Sequence, residues 1–91
     1  MHFEWDEAKR RLNLKRHGID FVDAVEVFRV ETVTVVDDRY EYGQTRFLTL
    51  GLVNGTVIAV SHTETDDVIR IISARKAQGD EEIRYFKEIR D

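Results

Sequence analysis

The 91-residue chain contains no cysteine and no proline. The lack of cysteine excludes a disulfide framework and a thiolate metal site. No segment approaches the roughly 18 apolar residues of a membrane-spanning helix, and the N-terminus lacks a basic-then-apolar signal pattern. We therefore expect a cytoplasmic protein without a membrane partner. The sequence has no glycine-rich phosphate loop and no zinc-ligand spacing, and its three histidines are widely scattered, so we predict neither a cofactor nor a metal site.

Charge is segregated along the chain. The formal net charge of −4 argues against indiscriminate nucleic-acid binding. Basic residues nevertheless cluster near the two ends, and acids concentrate in segments 20–26, 31–41 and 64–67. This pattern is compatible with a local positive face on an acidic protein, and equally with a solvated surface of mixed charge. The basic clusters comprise Lys9, Arg10, Arg11, Lys15 and Arg16 at the start, and Arg70, Arg75 and Lys76 near the end.

Hydrophobic periodicity predicts the element order β-α-α-β-β-β-β-α, an α+β fold in which helices pack on a small antiparallel sheet. There would be two N-terminal helices and one C-terminal helix. Asp6, Asp20 and Asp80 are the expected helix caps, and Asn54-Gly55 predicts a type I′ hairpin turn. The predicted strands are 3–5 (an edge strand), 32–36, 46–53, 56–63 and 68–74. We expect Trp5, Ala8 and Leu12 of the first helix, and Ile83, Phe86 and Ile89 of the last, to face inward.

The hairpin register and the first helix suggest a groove. With a two-residue turn, Leu48 pairs with Ser61, and Arg46 lies beyond the core on the same face. Strict alternation puts Arg70 and Arg75 on opposite faces, unless the strand bulges near Ser73 and turns Arg75 inward. A stripe of polar residues follows one border of the first helix: Lys9, Asn13, Arg16 and His17.

These residues suit a particular chemistry. RNA cleavage without a metal needs a group to remove the 2′-OH proton, cations to stabilise the phosphorane, and an acid to protonate the leaving 5′-oxygen. His17 and Tyr85 are the candidates for proton transfer, although His17 could equally bind the carbonyls at its helix end. The phosphate-binding candidates are Arg46, Arg70, Arg75 and Lys76; Arg70 and Arg75 could instead be ordinary strand charges.

The chain resembles the BrnT toxins. The likeness rests on residues 3–9, on Asn13 with His17-Gly18, on the strand from Arg46 to Gly51, and on residues 70–77 followed by Tyr85. It implies a single BrnT-like toxin domain over residues 1–91, a RelE-like fold, and a metal-independent endoribonuclease of a type II toxin–antitoxin pair. In this reading His17, Arg46, Arg75, Lys76 and Tyr85 are catalytic, and Lys9, Asn13, Lys15, Arg16 and Arg70 bind RNA.

The resemblance also implies a BrnA-like antitoxin with a ribbon-helix-helix DNA-binding domain, and contact with operator DNA only through that complex. Two positions depart from the family pattern. Arg16 stands where a lysine usually precedes the His-Gly pair, and Gln44-Thr45 replaces an acid before Arg46. The alternative is therefore a catalytically weak or inactive module that binds an antitoxin-like partner.

Overall fold

The computed structural model describes residues 1–90, and Asp91, the last residue of the predicted 1–91 domain, lies outside them. The predicted α+β class and element order are confirmed. The elements are β1 (His2–Glu4), α1 (Glu7–His17), α2 (Phe21–Ala24) continued by a 3₁₀ helix (Val25–Arg29), β2 (Thr32–Asp37), β3 (Arg46–Val53), β4 (Thr56–Thr65), β5 (Val68–Lys76) and α3 (Gly79–Arg90).

The five strands form one sheet in the order β1-β5-β4-β3-β2. Strands β2 to β5 are the predicted antiparallel meander. β1 is an edge strand, as predicted, but it runs parallel to β5, so the sheet is mixed. The parallel pairing follows from the connection, because helices and three strands separate β1 from β5 in the chain and no short turn imposes an antiparallel arrangement.

The first two helices begin where their caps predict. The Asp6 side chain accepts a hydrogen bond from the backbone N–H of Lys9, and the Asp20 side chain accepts one from Val22. Gly18 ends α1 with φ +72°, a left-handed conformation that glycine adopts without steric cost. Local side-chain chemistry therefore fixes both ends of α1.

The cap of α3 differs from the prediction. Asp80 lies inside the helix, which begins at Gly79. The carboxylate of Glu81 instead reaches back and accepts a hydrogen bond of 2.8 Å from the backbone N–H of Gln78. Glu81 is thereby held beside the end of β5, which matters for the site described below.

Helices cover both faces of the sheet. On the α2 face, a core cluster contains Phe21, Ala24 and Val27 together with β4 and β5 residues. On the opposite α3 face, a second cluster surrounds Tyr85 and contains Val33, Leu50, Val57 and Ala59. Each face therefore has its own small core.

Two inward faces were predicted correctly only in part: Trp5 and Ile89 pack against the cores as expected, but Ala8, Leu12, Ile83 and Phe86 are exposed. α3 buries Tyr85 and packs Ile89 one turn later, while Ile83 is 70% and Phe86 38% exposed. The hydroxyl of Tyr85 has hydrogen-bond partners in the core, the carbonyl of Glu31 and the N–H of Leu52, which allows this polar ring to be buried. In α1, Leu12 is 46% exposed, and Asn13 is the helix's buried residue.

The hairpin and the bulge both follow the predicted geometry. Asn54 and Gly55 have φ of +49° and +81°, as a type I′ turn requires. Ser61 pairs with Ser73 but His62 pairs with Ile71, which leaves Ile72 as an extra residue in β5. Of the two possibilities that the sequence left open for Arg70 and Arg75, the structure therefore has the bulge.

The bulge aligns two arginines. Arg70 pairs with Thr63 and Arg75 pairs with Ala59. Because side chains alternate along a strand, positions 59 and 63 of β4 share a face, and so do their partners. Ala59 belongs to the cluster under α3, so Arg70 and Arg75 both lie on the α3 face.

Candidate functional site

Arg75 forms a fork-shaped ion pair at the N-terminus of α3. Its Nη1 and Nη2 atoms lie 2.7 and 2.9 Å from Oε1 and Oε2 of Glu81. The side chains are 25% and 16% exposed, so the pair is partly shielded from water. The hydrogen bonds from Arg75 lower the pKa of the Glu81 carboxyl below its usual value. Glu81 is therefore ionised at neutral pH and accepts protons only weakly while Arg75 holds it.

A second pair of the same kind forms at the end of β2. Arg39 donates from Nε to Oδ1 of Asp37 at 2.9 Å and from Nη2 to Oδ2 at 3.0 Å. The Asp37 side chain is only 5% exposed, whereas that of Arg39 is 68% exposed. The hydrogen bonds from Arg39 lower the pKa of Asp37. The carboxylate thus anchors the guanidinium, which remains accessible to an anion.

The two pairs line one pocket of about 260 Å³ on the α3 face. Val35 and Leu48 provide apolar contacts within it, and Leu48 belongs to the edge of the α3 cluster. Two guanidinium groups that face a common space can bind an anion such as a phosphate from two directions, and arginine geometry suits that task. We refer to this space as the double-arginine pocket; it is lined by Val35, Val36, Asp37, Asp38, Arg39, Leu48, Arg75, Gln78, Asp80 and Glu81.

Arg46 lies on the same face, at the start of β3. It pairs with Asp37 across the strands, and its guanidinium carbon lies 3.8 Å from the centre of the Tyr42 ring. Its Nε atom is buried and has no hydrogen-bond partner within residues 1–90. The Tyr42 hydroxyl in turn donates to Oδ2 of Asp37 at 3.3 Å. The ring of Tyr42 therefore connects Arg46 to the double-arginine pocket.

The predicted stripe on α1 also comes together as a groove. A groove of about 220 Å³, the α1 groove, is lined by Lys9, Leu12, Asn13, Arg16, His17, Ile72 and Ser73. The side chain of Asn13 is not free for a ligand, because it donates to the backbone carbonyls of Ile19 and Ala74, each at 2.9 Å. Lys15 is exposed on the same helix, outside the groove lining.

The structure does not bring His17 and Arg75 into one groove. His17 lines the α1 groove, whereas Arg75 lines the double-arginine pocket. Ser73, which lines the α1 groove, lies two residues before Arg75 in β5. Two residues of a strand span about 6.5 Å, so β5 contributes to both spaces within a short distance.

Three other predicted site residues lie apart from these two spaces. Tyr85 is 2% exposed, and its hydroxyl donates to the carbonyl of Glu31 at 2.8 Å, which explains its position in the core. Lys76 pairs with Ile58 and, as the neighbour of Arg75 in β5, points to the α2 face. Arg70 is on the α3 face but forms an exposed 2.7 Å ion pair with Glu4.

Sequence reasoning missed the Asp37–Arg39 pair. A visible indication was the polar run Asp37-Asp38-Arg39 directly after a strand, since carboxylates and cations at strand ends often meet at a sheet edge. Within residues 1–90, no group of three or more histidine or carboxylate side chains is arranged to hold a metal ion. No helix in that part of the chain is long and apolar enough to cross a membrane.

Comparison with known proteins identifies one family. The model of the family described as "Ribonuclease toxin, BrnT, of type II toxin-antitoxin system" matches residues 5–81. This confirms the resemblance found in the sequence, and the matched span includes α1, both arginine–carboxylate pairs and all of β2 to β5. No curated protein matches the chain.

Proposed function

The chain belongs to the BrnT family of ribonuclease toxins of type II toxin–antitoxin systems, and from that premise we propose that it is an endoribonuclease that cleaves RNA without a metal ion in the double-arginine pocket. The observation that carries the proposal is the presence of two fork-shaped arginine–carboxylate pairs around one pocket of about 260 Å³. One pair comes from the end of β2 and the other from β5 and α3.

The charged groups of the two arginine–carboxylate pairs suggest how the RNA would be cleaved. Arg39 and Arg75 would bind the scissile phosphate and stabilise the negative charge that grows on the phosphorane. When Arg75 transfers its hydrogen bonds from Glu81 to the phosphate, Glu81 would take the proton of the 2′-OH, so that the 2′-oxygen attacks phosphorus and the bond to the 5′-oxygen breaks. The leaving 5′-oxygen would take a proton from water, and the products would carry a 2′,3′-cyclic phosphate and a 5′-hydroxyl. In this scheme the proton acceptor belongs to α3 and is held in place by Arg75, which the bulge in β5 puts on the α3 face.

The α1 groove would bind the next part of the RNA backbone. Its cations Lys9 and Arg16, with His17, lie beside Ser73 at the edge of β5. Phosphate contacts of this kind position the strand without reading its sequence. Exposed Lys15, together with Arg46 and Arg70 on the α3 face, extends the positive surface. Tyr85 and Lys76 are not part of this scheme because the core holds the first and the opposite face carries the second.

Membership in the family implies an antitoxin partner. We propose that this partner is BrnA-like, with a ribbon-helix-helix domain, and that operator DNA is bound only through the complex. The net charge of −4 supports the proposal that DNA is bound only through the complex, because a protein with net negative charge is repelled by the DNA phosphates. We further propose a RelE-like fold and a cytoplasmic location.

The proposal is tested by digesting a short RNA with purified protein in the presence of EDTA. Wild type should release products with 2′,3′-cyclic phosphate ends, and Arg75→Ala should slow the reaction about 10²-fold. Arg84→Ala is the matched control, because Arg84 is an exposed arginine of α3 that pairs with Glu88. Circular dichroism would establish that both variants fold. Equal cleavage by Arg75→Ala and wild type would remove the double-arginine pocket from the mechanism.

One observation favours the alternative, a non-catalytic module that binds an antitoxin-like partner. Both arginines of the pocket are already neutralised by carboxylates of the same chain. A stable complex with the antitoxin, combined with no RNA cleavage by the free protein, would support this second reading.

A further inference from the structure

The 38–45 loop, which joins β2 to β3, forms a pocket of its own. The pocket has a volume of about 400 Å³ and is lined by residues 36–38 and 40–46. It adjoins the double-arginine pocket, because Val36, Asp37 and Asp38 line both spaces. A volume of this size lies in the range of small-ligand sites, about 300–1,000 Å³. Any chain bound at Arg39 therefore has a second space immediately beside it.

Three flat groups meet at this pocket. The rings of Tyr40 and Tyr42 contact edge to face, with centroids 5.8 Å apart and an interplanar angle of 74°. The guanidinium of Arg46 covers Tyr42 at 3.8 Å. Tyr42 is thus held by Arg46, by Tyr40 and by its hydrogen bond to Asp37. Tyr40 contacts the ring of Tyr42 but is 70% exposed, so it offers an aromatic surface to solvent.

One arginine, Arg46, lines this pocket, whereas Arg39 and Arg75 both line its neighbour. Asp38 and Glu41 also line this pocket and would repel a phosphate group. Arg46 lines the pocket as well, and its guanidinium group is held against the face of the Tyr42 ring. An uncharged, flat, polar-edged ligand fits this combination better than an anion does. The base of a nucleotide has those properties, and its phosphate could lie at Arg39.

We infer that the pocket of the 38–45 loop binds a nucleobase of single-stranded RNA, which stacks on Tyr40 beside the phosphate held in the double-arginine pocket. The inference rests on the proposed ribonuclease function and adds a substrate subsite to it. Stacking on an exposed aromatic ring is the general way in which proteins hold unpaired bases. Arg46 and Tyr42 fix the geometry of the site, and Tyr40 provides the contact.

The test is equilibrium binding of two fluorescent hexanucleotides. One is a 2′-O-methyl RNA, which lacks the attacking hydroxyl and so is not cleaved, and the other is the same backbone with abasic residues. Tyr40→Leu should weaken binding of the first about tenfold and leave binding of the second unchanged. Tyr40→Phe keeps the ring and should bind like wild type. Phe86→Leu is the matched control, because Phe86 is an exposed aromatic residue on α3.

The outcomes separate this inference from the proposed function. If Tyr40→Leu binds the base-containing strand as well as wild type does, or loses both strands equally, the nucleobase site is wrong even though RNA cleavage stands. If wild type neither binds nor cleaves RNA, both proposals fail together. A Tyr40→Leu protein that keeps full RNA binding but loses antitoxin binding would assign the loop to the protein partner and would overturn the inference.

Discussion

The side-chain amide of Asn13 binds Ala74 as a neighbouring strand would. Its Nδ2 donates to the carbonyl of Ala74 at 2.9 Å, and its Oδ1 accepts from the N–H of the same residue at 3.1 Å. β1 pairs with β5 only over residues 68–70, so the edge of β5 beyond that point needs another partner. One amide of α1 supplies it, and this fixes the helix that carries the α1 groove.

Replacing Asn13 should therefore destabilise the fold. Asn13→Ala leaves the buried N–H and carbonyl of Ala74 without partners, and we expect a loss of about 2–4 kcal/mol in the free energy of unfolding. Leu12→Ala is the control, because Leu12 is 46% exposed on the same helix and should cost far less. Urea denaturation measures both variants. A loss below about 0.5 kcal/mol for Asn13→Ala would show that water replaces the amide at no cost.

Tyr85 should affect stability and not catalysis. Its hydroxyl donates to the Glu31 carbonyl and accepts from the N–H of Leu52 at 3.3 Å. Tyr85→Phe removes both hydrogen bonds but keeps the ring, so we expect a loss of about 1–2 kcal/mol in stability. RNA cleavage per folded molecule should stay within twofold of wild type. A large fall in cleavage rate with unchanged stability would instead restore Tyr85 to the reaction.

His62 links stability to pH. It is fully buried between Phe28 and Phe47, and its Nε2 lies 2.7 Å from the hydroxyl of Thr49. Burial lowers its pKa below 6.5, while Glu64, with Oε1 at 3.6 Å from Nδ1, opposes that shift only in part. The folded state therefore holds His62 neutral, and the unfolded state binds the proton more readily.

Stability should accordingly fall as the pH drops below about 6.5, because the unfolded state then gains a proton that the folded state does not. The dependence should continue until the pH reaches the lower pKa of the folded state. His62→Gln keeps a partner for Thr49 but does not titrate, so its unfolding free energy should change less between pH 7.5 and 5.5. Equal slopes for the two proteins, measured by urea denaturation, would contradict the assignment.

Sequence periodicity was most informative where a local rule applied. The caps Asp6 and Asp20 and the Asn54-Gly55 turn each follow from short-range chemistry, and each is present. The bulge near Ser73 was one of two alternatives, because two arginines five residues apart share a face only if one residue is added, and no local rule chose between them.

Features that depend on tertiary contacts were not predictable in this way. The parallel pairing of β1 joins residues 2–4 to residues 68–70. These segments are far apart in the chain, so no short sequence pattern predicts that they pair. Tyr85 is buried and Ile83 exposed on the same helix, and both are residues that the helical period alone does not rank. The Asp37–Arg39 pair is local, but its position beside Arg75 and Glu81 in one pocket brings together residues far apart in the chain.

The pH dependence of cleavage identifies the proton acceptor. If Glu81 is the base, its lowered pKa keeps it ionised throughout the neutral range, so kcat/KM should stay level from pH 7.5 to about 5 and fall only below the ordinary value of 4.5. Glu81→Gln should slow cleavage about 10²-fold and abolish the low-pH limb; Glu82→Gln, which changes the exposed neighbouring carboxylate of α3, should do neither. Because Glu81 also caps α3 through Gln78, Gln at position 81 is preferable to Ala, as it keeps an oxygen for that hydrogen bond. A cleavage rate that is unchanged in Glu81→Gln and lost in His17→Gln would assign the reaction to the α1 groove and leave the double-arginine pocket as a phosphate-binding site.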